Sequence, residues 1–360
     1  MAERKARMTE RQRVEALLRR EKVDKVPHWP FFDMTGFAAV YQNRPIMDAY
    51  KDPKTSLELQ RKVCQDFNWI CSPFFPAFGV ADFGGEQKLP ESEFSQTLIT
   101  TRYPVEVEED IDKLKMPDAK KSLGLAREKE FQMLMRENKP DIEPFKNFIL
   151  LFASPFDFAG ILTGAERLTR WMLKKPDLVR RFLQKCTDIL MDVAQYWKET
   201  LGTEGILLLS GGVISSNDLI SPKHFESLVL PSIKECHQRV LGMGFERFYC
   251  HICGEQNGNL PYWPQVPMGD PGIISFGHEV DLERAAEYFP NDIILGNLEP
   301  ALLQTATPEE VYEATKKVVE KGKKAPGGYI FAVGCQFPPR AKIENVKAMN
   351  QALDDFGWYE

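Results

Sequence analysis

The chain has 360 residues, 43% of them apolar and 27% charged, an ordinary balance for a globular protein of one or two domains. A net charge of −6 offers no basic footprint for nucleic acid, and no apolar run nears the roughly 20 residues that span a bilayer. Residues 1–11 have no apolar signal core, and the seven cysteines, at 64, 71, 186, 236, 250, 253 and 335, are too dispersed for a disulfide framework. A reducing, cytoplasmic setting is therefore expected.

In chain order, Val14, Leu17 and Leu18 recur at helical spacing over 9–21, with Thr9 placed to cap. Residues 26–32 read as a first strand interrupted by prolines and closing near Asp33 and Gly36. A helix over 56–67 precedes a second short strand, 69–71. The span 79–120, rich in Gly, Glu, Asp and Pro, reads as a hairpin-like excursion. A helix over 122–137 leads to a strand at 148–153 that ends at Ser154-Pro155. Helices follow at 164–174 and 176–201. The next strand, 205–209, opens into Ser210-Gly211-Gly212. Beyond it the pattern gives a helix over 222–243 capped by Ser221, then strands at 248–253 and 272–276. A helix over 282–288, a strand at 292–296 and a helix from Pro308, capped by Thr307, come next. The last strand, 329–333, runs to Cys335 before a terminal helix over 343–356.

These make about eight strand-then-helix units. Parallel neighbours need crossover connections, so the alternation predicts an α/β protein, a (β/α)₈ TIM barrel over 26–360 behind an N-terminal helical extension, 1–25. Function in such a barrel gathers at the C-terminal ends of the strands.

His251-Ile252-Cys253-Gly254 lies at such an end. Alternate residues of a strand share a face, so His251 and Cys253 point one way, Cys250 and Ile252 the other. Cys335 closes the eighth strand and can supply a third ligand. Two thiolates and an imidazole suit zinc and leave one position open for catalysis, although a buried cysteine is also a common small hydrophobe. Glu299, His278 or water are candidates for that open position, and Glu299 can equally be a solvated loop carboxylate. Asp33 and Asp157 stand beyond strand exits among phenylalanines. Each reads either as a proton donor or substrate anchor of raised pKa, or as a loop or helix cap. Ser215 and Asn217, with His278, read as polar wall positions against a bound cofactor.

The chain resembles the uroporphyrinogen decarboxylase superfamily, and within it the branch of corrinoid-dependent, zinc-containing methyltransferases. The resemblance is carried by Leu219-Ile220-Ser221-Pro222, by His251-Ile252-Cys253-Gly254 and by Gly296-Asn297-Leu298-Glu299-Pro300. Further on it rests on Thr307-Pro308-Glu309-Glu310-Val311, and on Gly334-Cys335 with Pro338-Pro339 and Glu344-Asn345. It implies a (β/α)₈ barrel, zinc on His251, Cys253 and Cys335, and methyl transfer between a corrinoid such as methylcobalamin and a thiol, ether or amine. It also implies a corrinoid-binding partner protein, since the chain has no cobalamin-binding Asp-x-His-x-x-Gly segment. Decarboxylation of uroporphyrinogen is the rival reading. That branch carries an arginine-rich segment after the first strand, and residues 21–43 contain no arginine. A tetrapyrrole- or corrinoid-binding barrel without turnover, and a purely structural zinc, are the remaining alternatives.

Overall fold

The computed structural model describes residues 7–31, 33–92, 94–137 and 139–359. Six strands form a parallel sheet in sequence order, which is what a chain of right-handed strand–helix crossovers produces. After the antiparallel hairpin β1 (Glu86–Lys88) and β2 (Ile99–Arg102), these are β3 (Asn147–Ala153), β4 (Ile206–Gly212), β5 (Phe248–Ile252), β6 (Ile273–Phe276), β7 (Ile293–Leu298) and β8 (Tyr329–Val333). The hairpin lies within the excursion expected over 79–120.

The first two expected strands are extended segments rather than regular strands. Pro27 and Pro30 have no N–H to give a ladder, yet the segment still docks along β8. Trp29 donates to Phe331 O, while Phe331 and Val333 donate to the carbonyls of Pro27 and Pro30. Ile70 then donates to His28 O, which sets 69–71 alongside. Phe32, the expected end of the first strand, lies outside the described residues, as do residues 1–6 and Glu360.

One buried cluster takes side chains from all eight members: Trp29, Ile70, Phe148, Leu207, Tyr249, Ile273, Leu295 and Ile330 are among them. Residues one position along, such as Leu208, Cys250, Ile274 and Phe331, belong to a second cluster shared with the surrounding helices. This is the period-two alternation of a barrel with a filled interior and a helical jacket. The rings of Trp29 and Phe148 both meet Tyr249, at 5.3 and 5.8 Å between centroids, so members far apart in the sheet touch across the axis. Each such large side chain removed from water contributes roughly 1.5–3 kcal/mol. The helix Glu10–Leu18 adds Val14 and Leu17 to the same interior cluster.

Two strands run further than the sequence pattern predicts. β4 takes in Ser210, Gly211 and Gly212, and β7 takes in Asn297 and Leu298, because glycine and asparagine in a ladder have no apolar signature. Helices missing from that pattern include Thr35–Tyr41 and Pro155–Thr163. Eight of the nine residues of the second are buried, so it shows no amphipathic stripe. Its readable cue is the start: Ser154 caps, Pro155 takes the first turn and Asp157 the third position.

Candidate metal centre

Register places the site. In the parallel ladder His251 sits between Gly211 of β4 and Ser275 of β6. Its side chain points into the barrel mouth, where Nδ1 lies 3.0 Å from Ser275 Oγ. Cys253 leaves β5 on the same face, with its N–H bonded to Gly212 O. The chain then turns at Gly254 with φ +70°, a left-handed conformation that a Cβ would strain. Three strands on, Gly334 donates to Leu298 O. A side chain at Gly334 would come within 2.8 Å of the His278 backbone nitrogen, so only glycine lets the loop carrying Cys335 lie this close.

The result is that His251, Cys253 and Cys335 bring their ligand atoms within 4.8 Å of one another, the one such group of three or more metal-ligating side chains among the described residues. The two sulfurs are 3.6 Å apart. A disulfide needs about 2.05 Å. Two sulfurs each about 2.3 Å from one tetrahedral zinc stand roughly 3.8 Å apart, so the spacing fits an ion and not a bond. The imidazole is buried and both cysteines are half-buried. Two thiols this close titrate together. The hydrogen bond from Cys253, aided by His251, holds the Cys335 thiol well below its usual range. The Cys253 thiol is pushed up by its bond to Cys335 and by burial. A thiolate is thus favoured at the site near neutral pH. With Nδ1 held by Ser275, Nε2 is the nitrogen that would ligate, and a hydroxyl behind a ligand imidazole fixes its orientation. Ser275→Ala is accordingly expected to weaken zinc affinity by about 10–100-fold with the fold unchanged, read by competition with a chromogenic chelator.

The other expected site residues divide. Asp33 is buried beside the site: Gln336 Nε2 donates to its Oδ2, Thr35 N–H lies 3.3 Å from Oδ1, and burial pushes its carboxyl up. Asp157 is also buried, but its carboxylate serves the backbone. Oδ1 accepts from the N–H groups of Val213 and Ile214 at 2.8 and 2.7 Å, and Oδ2 from Ser154. Burial raises its pKa to about 6. It ties the helix Pro155–Thr163 to the end of β4. Glu299 turns out to solvent one residue past β7, and His278 is exposed beside Glu279. Neither belongs to the ligand cluster. Ser215 is buried, and its carbonyl accepts from Asn259. Asn217 bonds Asn259 and the Gly258 N–H, pinning the loop after β4 to the loop after β5.

Residues missed from sequence are Ser275, visible only once β5 and β6 are in register, and Gln336, whose adjacency to Cys335 was the available signal. Next to Gln336 lies a cavity of about 420 Å³, walled by the barrel mouth and the hairpin and reaching Asp33.

The similarity of the chain to known proteins agrees with this architecture. A solved "methyltransferase from Methanosarcina mazei" superposes with a TM-score of 0.78, covering 97% of this chain and 99% of its own at 20% identity, a likeness in fold. A "Methylated-thiol--coenzyme M methyltransferase" of Methanosarcina mazei is 28% identical over 58% of this chain and 53% of its own length. A "Methylcobamide:CoM methyltransferase MtbA" of Methanosarcina acetivorans is 27% identical over 55% and 52%. The chain thus spans about half the length of these curated relatives. A "Uroporphyrinogen decarboxylase" of Anaeromyxobacter dehalogenans is 22% identical over 95% and 98%. The signature of one family matches from residue 9 to residue 356, nearly the whole chain, and by it this protein belongs to the uroporphyrinogen decarboxylase (URO-D) family.

Proposed function

We propose that the protein is a zinc-dependent methyltransferase that moves a methyl group between a corrinoid, carried on a partner protein, and a small molecule with a thiol, ether or amine. The observation carrying this reading is the pair of sulfurs 3.6 Å apart beside a buried imidazole at the barrel mouth. His251, Cys253 and Cys335 would hold the ion. Zinc bound there supplies Lewis acidity to the heteroatom that gains or loses the methyl. The methyltransferase names of the relatives matched over about half their length support the same reading.

The chain's own residues shape the rest. Ser275 orients the imidazole. Asp33, buried and pushed toward its neutral form, can hold a proton on a carboxyl oxygen at the cavity end nearest Cys335. Asn217 and Asp157 keep the loops after β4 and β5 in place, so the ligand strands meet a fixed mouth. Decarboxylation of a substrate with many carboxylates is disfavoured, because bidentate guanidinium contacts are the natural way to hold them and residues 21–43 contain no arginine.

Metal removal tests the reading. Purified protein is expected to carry about one zinc per chain, a site with three protein ligands. Dialysis against a strong chelator should abolish methyl exchange with methylcobalamin while far-ultraviolet circular dichroism stays unchanged, and added zinc should restore it. Exchange that survives complete zinc removal, or unfolding on chelation, would overturn it.

A further inference from the structure

The cavity that reaches Asp33 and Gln336, the residue after Cys335, has a chemistry of its own. Four rings, those of Tyr50, Phe74, Phe78 and Tyr103, face it, with Leu150 and Ile214 between them. Among the described residues that line it there is no lysine, arginine or histidine. Its charged residues are Asp33 and Asp157, both buried. Their oxygens are already engaged, Asp33 by Gln336 and the Thr35 N–H, Asp157 by Ser154 and the backbone of Val213 and Ile214. The Gln96 side chain is occupied too, accepting from the Gly36 N–H and donating to Phe337 O. The walls therefore present mainly apolar area and ring faces, with neutral polar groups from Gln87, Thr97 and Thr100 at the hairpin side and no cation among them.

An anion entering this space would lose its hydration, find no cation and face two carboxyl groups. A cation would find those carboxyl groups spoken for. A neutral ring would gain edge and face contacts on every side, and about 420 Å³ is room for a ligand of one ring with substituents.

We propose that this cavity receives the body of an uncharged aryl methyl ether, or of the phenol left by its demethylation, and excludes sulfonate- or carboxylate-bearing thiols. The inference rests on the methyl-transfer reading above and names its substrate class. In the demethylating direction the methyl carbon–oxygen bond breaks and a methyl–cobalt bond forms. The oxygen keeps the bonding pair and takes a proton from solvent. The pair for the new bond comes from the cobalt(I) corrinoid of the partner protein, which is thereby oxidised to cobalt(III).

Three probes sharing one ring separate the cases: methoxybenzene, benzenesulfonate and phenyltrimethylammonium, titrated by calorimetry into the full-length zinc-loaded protein. Methoxybenzene is expected to bind at least about tenfold more tightly than either ion. Ile161→Lys adds a cation at the exposed rim of the cavity. It should weaken methoxybenzene and strengthen benzenesulfonate, each by about tenfold, by supplying the missing counter-charge. Equal or tighter binding of either ion by the wild type, or no saturable binding of methoxybenzene, overturns the proposal. These heats do not depend on turnover. If the probe order holds but no methyl reaches cobalamin, the transfer reading fails instead.

Discussion

Cys335→Ser is expected to leave the protein folded and without zinc. A serine hydroxyl stays protonated at neutral pH and cannot replace a thiolate at about 2.3 Å from the ion. Two ligands on one strand end would remain, too few to hold the metal against a chelator. Loss of a Lewis acid worth several kcal/mol corresponds to a fall in methyl transfer of about a thousandfold or more. Zinc content by elemental analysis and demethylation of methylcobalamin are the two readouts, taken on the same preparation. Stability should change little, because Cys335 is half-buried on a loop beyond β8 and contributes nothing to the barrel interior. Cys250→Ala is the informative companion. That cysteine is one residue from His251 but faces the helices, within the outer cluster. It should retain full zinc occupancy while losing some stability to the cavity it leaves. Equal loss of metal in both variants would mean that the face assignment along β5 is wrong.

Glu128→Gln should stabilise the protein at pH 8 and do little at pH 5. Glu128 is buried on the helix Leu123–Arg136, with Gln132 Nε2 at 3.1 Å and the Ala77 N–H at 3.4 Å as its partners. No cation accompanies it in those contacts, and burial raises its pKa to about 7 from 4.5. The folded state therefore binds its proton more tightly than the unfolded chain does. The stability this carboxyl allows is fully present below about 4.5 and is lost as pH rises through about 7. At 1.36 kcal/mol per tenfold the difference is about 3 kcal/mol. Glutamine keeps a carbonyl oxygen for Gln132 and removes the charge, so the gain at pH 8 should approach that figure. Urea denaturation of both proteins at pH 5 and pH 8 measures it. Equal destabilisation at the two pH values would show that Glu128 serves through its geometry and not through a costly charge. Asp157, raised to about 6 by burial, acts in the same sense at lower pH, and it is common to both proteins.

The facing of His251 and Cys253, and Cys335 as a third donor for the same cluster, were readable from sequence because strand alternation is a local rule. Once 248–253 is a strand, His251 and Cys253 must share a face, and a cysteine at the end of another apolar strand is conspicuous. The helix caps at Thr9 and Thr307 were readable for the same reason, since each requires only a side chain three residues before a backbone N–H. Glu299 and His278 show the limit. Both follow strands at the mouth, and no pattern in the chain tells whether a residue just past a strand turns inward or, as these do, into solvent.

The sequence by itself determined the strand–helix alternation, the facing of alternate residues and the donor types at the mouth, because each follows from backbone periodicity and side-chain chemistry within a few residues. Only the tertiary structure decided which groups meet. It put Ser275 behind His251 through the ladder register, Cys335 against Cys253 through a glycine-permitted approach, and the hairpin over a cavity that no cation lines among the described residues. Those meetings join residues up to hundreds of positions apart, and the packing of the closed barrel, not any local preference, sets their distances.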